Sequence, residues 1–181
     1  MVKTIVVSDT NIFIDLVRLN ILDSFFALPF EVHTTNFVIN ELTVPEQKTV
    51  VADFIKQNKL IIGTLSSEEV GKIALLSINT GGKISITDFS VCLYSKKNGY
   101  TLLTGDKKLR KVALDESITV RGILYLFDEM VNNSTLTLEQ AIATLRQLKS
   151  INPRIPSDEV DTRISNWESK IANQKSTDDN G

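Results

Sequence analysis

The period of the apolar positions changes repeatedly along this chain, and each change marks an element. Lys3 to Ser8 is a short β-branched run, which predicts a strand, and it leads directly into Asp9-Thr10-Asn11, a polar trio suited to capping a helix. Helical spacing then covers Ile12 to Leu19, a second short helix fits Ile21 to Leu28, and Phe30 to Thr34 predicts the next strand. Helices are expected at Asn36 to Leu42 and at Pro45 to Lys56, with proline suited to the first turn. A strand at Leu60 to Gly63 and a helix at Ser67 to Asn79 follow, ended by Gly81-Gly82. From Ser85 to Lys97 the residues Phe89, Cys92 and Leu93 recur at helical spacing. Tyr100 to Thr104 predicts a compact strand running into Gly105-Asp106, then a helix to Leu114 and a last strand at Ile118 to Val120.

Five strands alternating with helices specify an α/β fold, an open and mainly parallel sheet covered on both faces. Three more helices are expected beyond it, at Ile123 to Val131, Leu136 to Leu148 and Pro156 to Ala172. The domain reading is a core over 1–130, a helical extension packed on it over 131–173, and a polar, disordered tail over 174–181.

Composition is ordinary for a globular chain, with 42% hydrophobic and 23% charged residues in 181. The single Cys92 allows no internal disulfide, and no signal sequence opens the chain, so a reducing cytoplasm is the natural setting. No apolar run approaches the roughly 18 residues of a membrane span. A net charge of −2 gives no global attraction to a polyanion, so any such site must come from local clustering. One cluster exists: Lys96, Lys97, Lys107, Lys108, Arg110 and Lys111. Its plain alternative is a solvated helix face.

In open parallel sheets, ligands bind outside the carboxyl ends of the strands where the strand order reverses. Asp9 directly follows the first strand and Asp106 follows the fourth, so both carboxylates face one crevice if those strands are neighbours. Asp88 opens the helix feeding the fourth strand, and Glu41 lies on the helix after the second. Four carboxylates together repel one another unless a divalent cation neutralises them. Mg²⁺ keeps waters and phosphate oxygens beside a few carboxylates, an arrangement that serves phosphodiester hydrolysis. Each acid has a structural alternative: Asp9 and Asp106 can cap helices, Ser85 with Asp88 fits a capping box, and Glu41 can be a solvated surface residue.

The segments Val6-Val7-Ser8-Asp9-Thr10-Asn11, Asn40-Glu41-Leu42, Ile86-Thr87-Asp88 and Leu103-Thr104-Gly105-Asp106-Lys107-Lys108-Leu109-Arg110 resemble, in order, the four acidic motifs of the PIN-domain nucleases. That family includes the VapC toxins of bacterial toxin–antitoxin modules. The resemblance covers about residues 1–130, and the helical tail is similar to a prokaryotic PIN-like subgroup. It implies an endoribonuclease dependent on Mg²⁺ or Mn²⁺, with RNA as substrate and Asp9, Glu41, Asp88 and Asp106 as catalytic metal ligands. Asn11 and Thr104 are implied as polar supports, and a protein antitoxin and a homodimer as partners. The pattern departs in one place. Many members carry a further acidic or polar residue after the fourth aspartate, whereas Lys107 to Lys111 offers only basic residues and Leu109. This leaves one metal or two open, and offers Lys107, Lys108, Arg110 and Lys111 to the RNA backbone instead.

Other chemistries lack their residues. His33 is the only histidine, so no His-based triad or zinc site can form around it, and Cys92 has no second thiol; both read as structural. Trp167 reads as an anchor for the last helix. A phosphatase of the haloacid dehalogenase type needs an acid where Asn11 stands. The remaining alternative is a catalytically silent PIN-like binding module.

Overall fold

The computed structural model describes residues 4–178, with side chains through 174. Five parallel strands form one sheet in the order β3-β2-β1-β4-β5: β1 (Thr4–Ser8), β2 (Phe30–Thr35), β3 (Leu60–Gly63), β4 (Thr101–Leu103) and β5 (Val120–Arg121). The strand start expected at Lys3, and residues 179–181 of the expected tail, lie outside the described residues.

The central strand β1 and its neighbour β4 carry the densest apolar runs, as strands covered on both faces must. Val6 and Val7 of β1 and Leu102 and Leu103 of β4 are fully buried. The helices that connect the five strands are α1 (Thr10–Arg18), α2 (Leu22–Phe26), α3 (Asn36–Glu41), α4 (Pro45–Lys56), α5 (Ser67–Asn79), α6 (Ile86–Asn98) and α7 (Lys107–Asp115). Each lies within a few residues of the position expected from periodicity. Chain order runs outward from β1 through β2 to β3, then crosses back to β4 on the other side of β1. The strand order therefore reverses between β1 and β4.

Of the described residues, those up to Ile123 form one compact unit and those from Leu124 onward a second. The second holds most of α8 (Ile123–Asn132), with α9 (Leu138–Ile151) and α10 (Ser157–Asp178). Thr137 and Gln140 close a capping box that starts α9, and Arg163 of α10 grips Asp128 of α8 through two nitrogens at 2.9–3.1 Å. Trp167 is buried in α10, in keeping with an anchoring role. The last helix runs on to Asp178, past the point where the sequence placed a disordered tail; nothing polar in that stretch breaks a helix, since it contains neither Gly nor Pro before Asp178.

His33 is held on both ring nitrogens, Nδ1 against the Tyr94 hydroxyl at 2.9 Å and Nε2 against Glu31 Oε1 at 2.9 Å, which fixes it as part of the β2–α6 packing. Cys92 is buried, and that burial pushes its thiol up to about 12, so it stays protonated and unreactive. Tyr94 explains Gly63. A Cβ at residue 63 would sit 2.3 Å from the Tyr94 ring, and a ring cannot swing away as a flexible chain end can. Gly63→Ala is therefore expected to lose about 2 kcal/mol through overpacking, read as a lower denaturant midpoint at unchanged slope. A variant as stable as the parent chain would contradict this packing.

Candidate metal centre

The carboxyl edge of the sheet is unusually polar for buried structure. Ser8, Asp9, Thr10, Thr34, Thr35, Ser90 and Thr104 are all buried there. Buried polar groups must find partners, and here they find one another. Thr34 Oγ1 donates to the Ser8 carbonyl at 2.8 Å, tying β2 to β1, and Thr35 Oγ1 meets Ser90 Oγ at 2.7 Å, tying β2 to α6.

Asp9 is the centre of this edge, only 1% exposed. Its backbone N–H donates to the Leu103 carbonyl at 3.0 Å, which locks the end of β1 to the end of β4. Oδ1 accepts from the Thr10 N–H at 2.6 Å as the cap of α1, and Oδ2 accepts from Thr104 Oγ1 at 2.9 Å. Asn11 Nδ2 reaches the same Oδ2 only at 3.5 Å, too long for a strong hydrogen bond. Thr104 also accepts from the Asp106 N–H at 3.0 Å, so one buried hydroxyl joins the two strand-end aspartates. Asp106 caps α7, its Oδ1 accepting from the N–H groups of Lys108 and Leu109, both at 2.8 Å.

Asp88 closes a capping box with Ser85 at the start of α6: Ser85 Oγ accepts from the Asp88 N–H at 3.0 Å, and Asp88 Oδ2 accepts from the Ser85 N–H at 3.0 Å. Glu41 ends α3, exposed, with Oε2 accepting from Thr10 Oγ1 at 2.5 Å. The capping readings of the sequence thus hold for Asp9, Asp88 and Asp106, and they do not compete with a common site. All four acids line one cleft of about 260 Å³ together with Thr10, Asn11, Ile14 and Ser85. Thr10, which the sequence reading passed over, belongs to this site. Its neighbour Glu41 is 31 residues away, so no local pattern reveals the pairing.

The three capped helices α1, α6 and α7 present their N-termini to this cleft, and the partial positive charge of each helix start eases the crowding of carboxylates. It does not remove it. Burial, reinforced by the charges of Asp88 and Glu41, pushes Asp9 up to about 7 against the pull of its Thr104 and Thr10 hydrogen bonds. A divalent cation fits this donor set, which is all oxygen and offers no thiolate or imidazole. Among the described residues, no three acidic, histidine or cysteine side chains close into a ready-made cage. A cleft of about 260 Å³ instead has room for a cation with part of its water shell, given roughly 30 Å³ per water, and Mg²⁺ holds its waters firmly.

The six-residue basic cluster of the sequence divides. Lys96 and Lys97 sit at the far end of α6, roughly 13 Å along the helix from Asp88, where Lys96 pairs with Glu116 and Lys97 with Glu69 at 2.7 Å. They are not on the rim of the cleft. Arg110 turns inward, its Nη2 donating to the Thr104 carbonyl at 3.1 Å. Lys107, Lys108 and Lys111 are exposed on the first turns of α7, directly after Asp106.

The raised Asp9 has a measurable consequence in metal-free protein. A carboxyl at about 7 in the fold, against 3.8 ordinarily, contributes stability that is full below pH 3.8 and is lost as the pH rises through about 7. In EDTA, the stability of the chain relative to Asp9→Asn should therefore fall between pH 4 and pH 8, as followed by melting temperature. Parallel profiles for the two proteins would refute the burial of charge at Asp9.

A family model described as PIN domain matches residues 5–169. The match extends past 130, where the four acidic motifs end, into the helices that also resemble a PIN-like subgroup, so most of the C-terminal helical segment is part of the family's pattern. No curated protein sequence matches the chain. Among solved structures, the crystal structure of FitAcB from Neisseria gonorrhoeae is similar at 15% identity and a TM-score of 0.39, covering 64% of this chain and 95% of that one. The assignment rests on the sequence model, which spans nearly the whole chain: this protein belongs to the PIN-domain family.

Proposed function

We propose that the chain is a metal-dependent endoribonuclease in which Asp9, Glu41, Asp88 and Asp106 hold Mg²⁺ or Mn²⁺. The observation that carries this reading is the convergence of four carboxylates on one cleft, the innermost pushed up to about 7 by its burial and, less, by its acidic neighbours. PIN domains are generally nucleases and typically use divalent metals. A cation bound here supplies countercharge to the carboxylates and the phosphodiester and polarises a water for attack on phosphorus.

The chain's own residues position and bind. Asp9 and Asp106 are fixed relative to one another by the Thr104 hydroxyl, which makes them rigid ligands rather than adaptable ones. Lys107, Lys108 and Lys111 share one face of α7 by their spacing. Two lysines in the first turn of a helix work against its dipole, a local cost that makes sense where a polyanion must be drawn to the mouth of the cleft. We assign these three lysines to the RNA backbone. Hydrolysis by water leaves 5′-phosphate and 3′-hydroxyl ends. The competing route through the RNA 2′-hydroxyl needs an acid–base pair, and His33, with both ring nitrogens engaged by Tyr94 and Glu31, is not among the residues lining the cleft.

The test is cleavage of mixed single-stranded and structured RNA with Mg²⁺, Mn²⁺ or EDTA. Expected are metal-dependent products with 5′-phosphate ends, loss of at least 100-fold in rate for Asp9→Asn or Asp106→Asn, and a flatter salt dependence of RNA binding when Lys107, Lys108 and Lys111 are changed to Gln. Cleavage that survives EDTA or Asp106→Asn, or that yields 2′,3′-cyclic ends, would overturn the mechanism. No cleavage of any nucleic acid would leave the silent binding module. As part of the same proposal, a toxin role with a protein antitoxin would show as growth arrest on expression that Asp106→Asn abolishes.

A further inference from the structure

We propose that Thr10 is the positioning residue for Glu41, holding one oxygen of that carboxylate so that the other is presented to the metal; this rests on the metal-dependent reading above. Glu41 is the least constrained of the four acids. It is exposed, it is the last residue of α3, and the chain leaves that helix at once in an extended conformation at Leu42. Asp9, Asp88 and Asp106 are each restrained by backbone N–H groups at helix starts, whereas the bond that restrains Glu41 comes from a side chain.

That side chain is fixed. Thr10 is the first residue of α1 and buried, it directly follows the residue that locks β1 to β4, and a β-branched side chain has few rotamers. Its hydroxyl donates to Glu41 Oε2 at 2.5 Å, the length of a charge-assisted bond. Oε2 is thereby committed to Thr10, and Oε1 is left without a protein hydrogen bond among the described residues. Thr10 thus ties the fourth ligand, which approaches from α3, to the same short segment that carries Asp9. An outer hydrogen bond that orients a ligating carboxylate typically governs metal affinity by about 10- to 100-fold.

The experiment is Mn²⁺ titration by calorimetry on the full chain and on Thr10→Val, Thr10→Ser and Glu41→Gln, with melting in EDTA as the control for folding. Thr10→Val keeps the shape and removes the hydroxyl, so it should weaken Mn²⁺ binding about 10-fold or more while melting in EDTA close to the parent. Thr10→Ser restores the donor and should bind within about 3-fold of the parent, on the same scale. In the Glu41→Gln background, Thr10→Val should add little, because the two residues act as one unit. Parental affinity in Thr10→Val, an equal loss in Thr10→Ser, or a full additional loss on top of Glu41→Gln would overturn the assignment of Thr10 while leaving the metal reading standing. A parent chain that does not bind Mn²⁺ would instead overturn both.

Discussion

The structure is organised around a carboxylate that is almost wholly buried. Asp9 is placed at the end of the central strand, with 1% of its surface exposed and two other acids close enough to raise its pKa. Its hydrogen bonds from Thr104 and from the Thr10 amide soften the cost without cancelling it, since the net effect still favours the protonated form. A buried charge is tolerated when it is paired or ligates a metal. The sheet order supplies the place, since β1 and β4 diverge in their connections and leave a crevice at their carboxyl ends.

Helix capping and the proposed metal ligation fall on the same residues here for a physical reason. A helix start needs an oxygen acceptor and tolerates negative charge, and three such starts face one cleft. Each cap fixes a carboxylate by one oxygen while the residue still lines the cleft. The arrangement therefore has its rigidity before any cation arrives, which is what a site needs if ligand geometry is not to be assembled at the cost of side-chain freedom. The basic residues follow the same logic. Lys107, Lys108 and Lys111 are left unpaired by the described salt bridges, while Lys96 and Lys97 are consumed by Glu116 and Glu69 at the opposite end of α6.

Much of this was legible in the sequence because it is local. Strands announce themselves by β-branched runs and helices by spacing, and Asp9 and Asp106 are marked by standing immediately after two strands. Asp88 was visible through its capping pattern with Ser85. The acids were expected together, and the cleft brings them together. What the sequence could not display is contact across distance. The Thr10–Glu41 bond spans 31 residues, and only the fold shows that a hydroxyl beside the first aspartate is committed to the second acid. The basic residues between Lys96 and Lys111 likewise read as one cluster until α6 is given its length, which carries its last turn away from the cleft. The inward turn of Arg110 toward the Thr104 carbonyl is of the same kind. The end of the chain differs for another reason: a polar stretch without breakers is equally compatible with a solvated helix, and α10 is assigned through it to Asp178.

The central claim is that a cation takes over the charge of Asp9, and the number of protons released when Mn²⁺ binds tests it most directly. Asp9 at about 7 is protonated in metal-free protein at lower pH and must give up that proton to ligate. Calorimetric titration in buffers of different ionisation enthalpy should therefore show close to one proton released per Mn²⁺ near pH 6, falling towards none above about pH 8. That release should be missing in Asp9→Asn. Mn²⁺ binding at pH 6 without proton release, or with the same release in Asp9→Asn, would contradict the account.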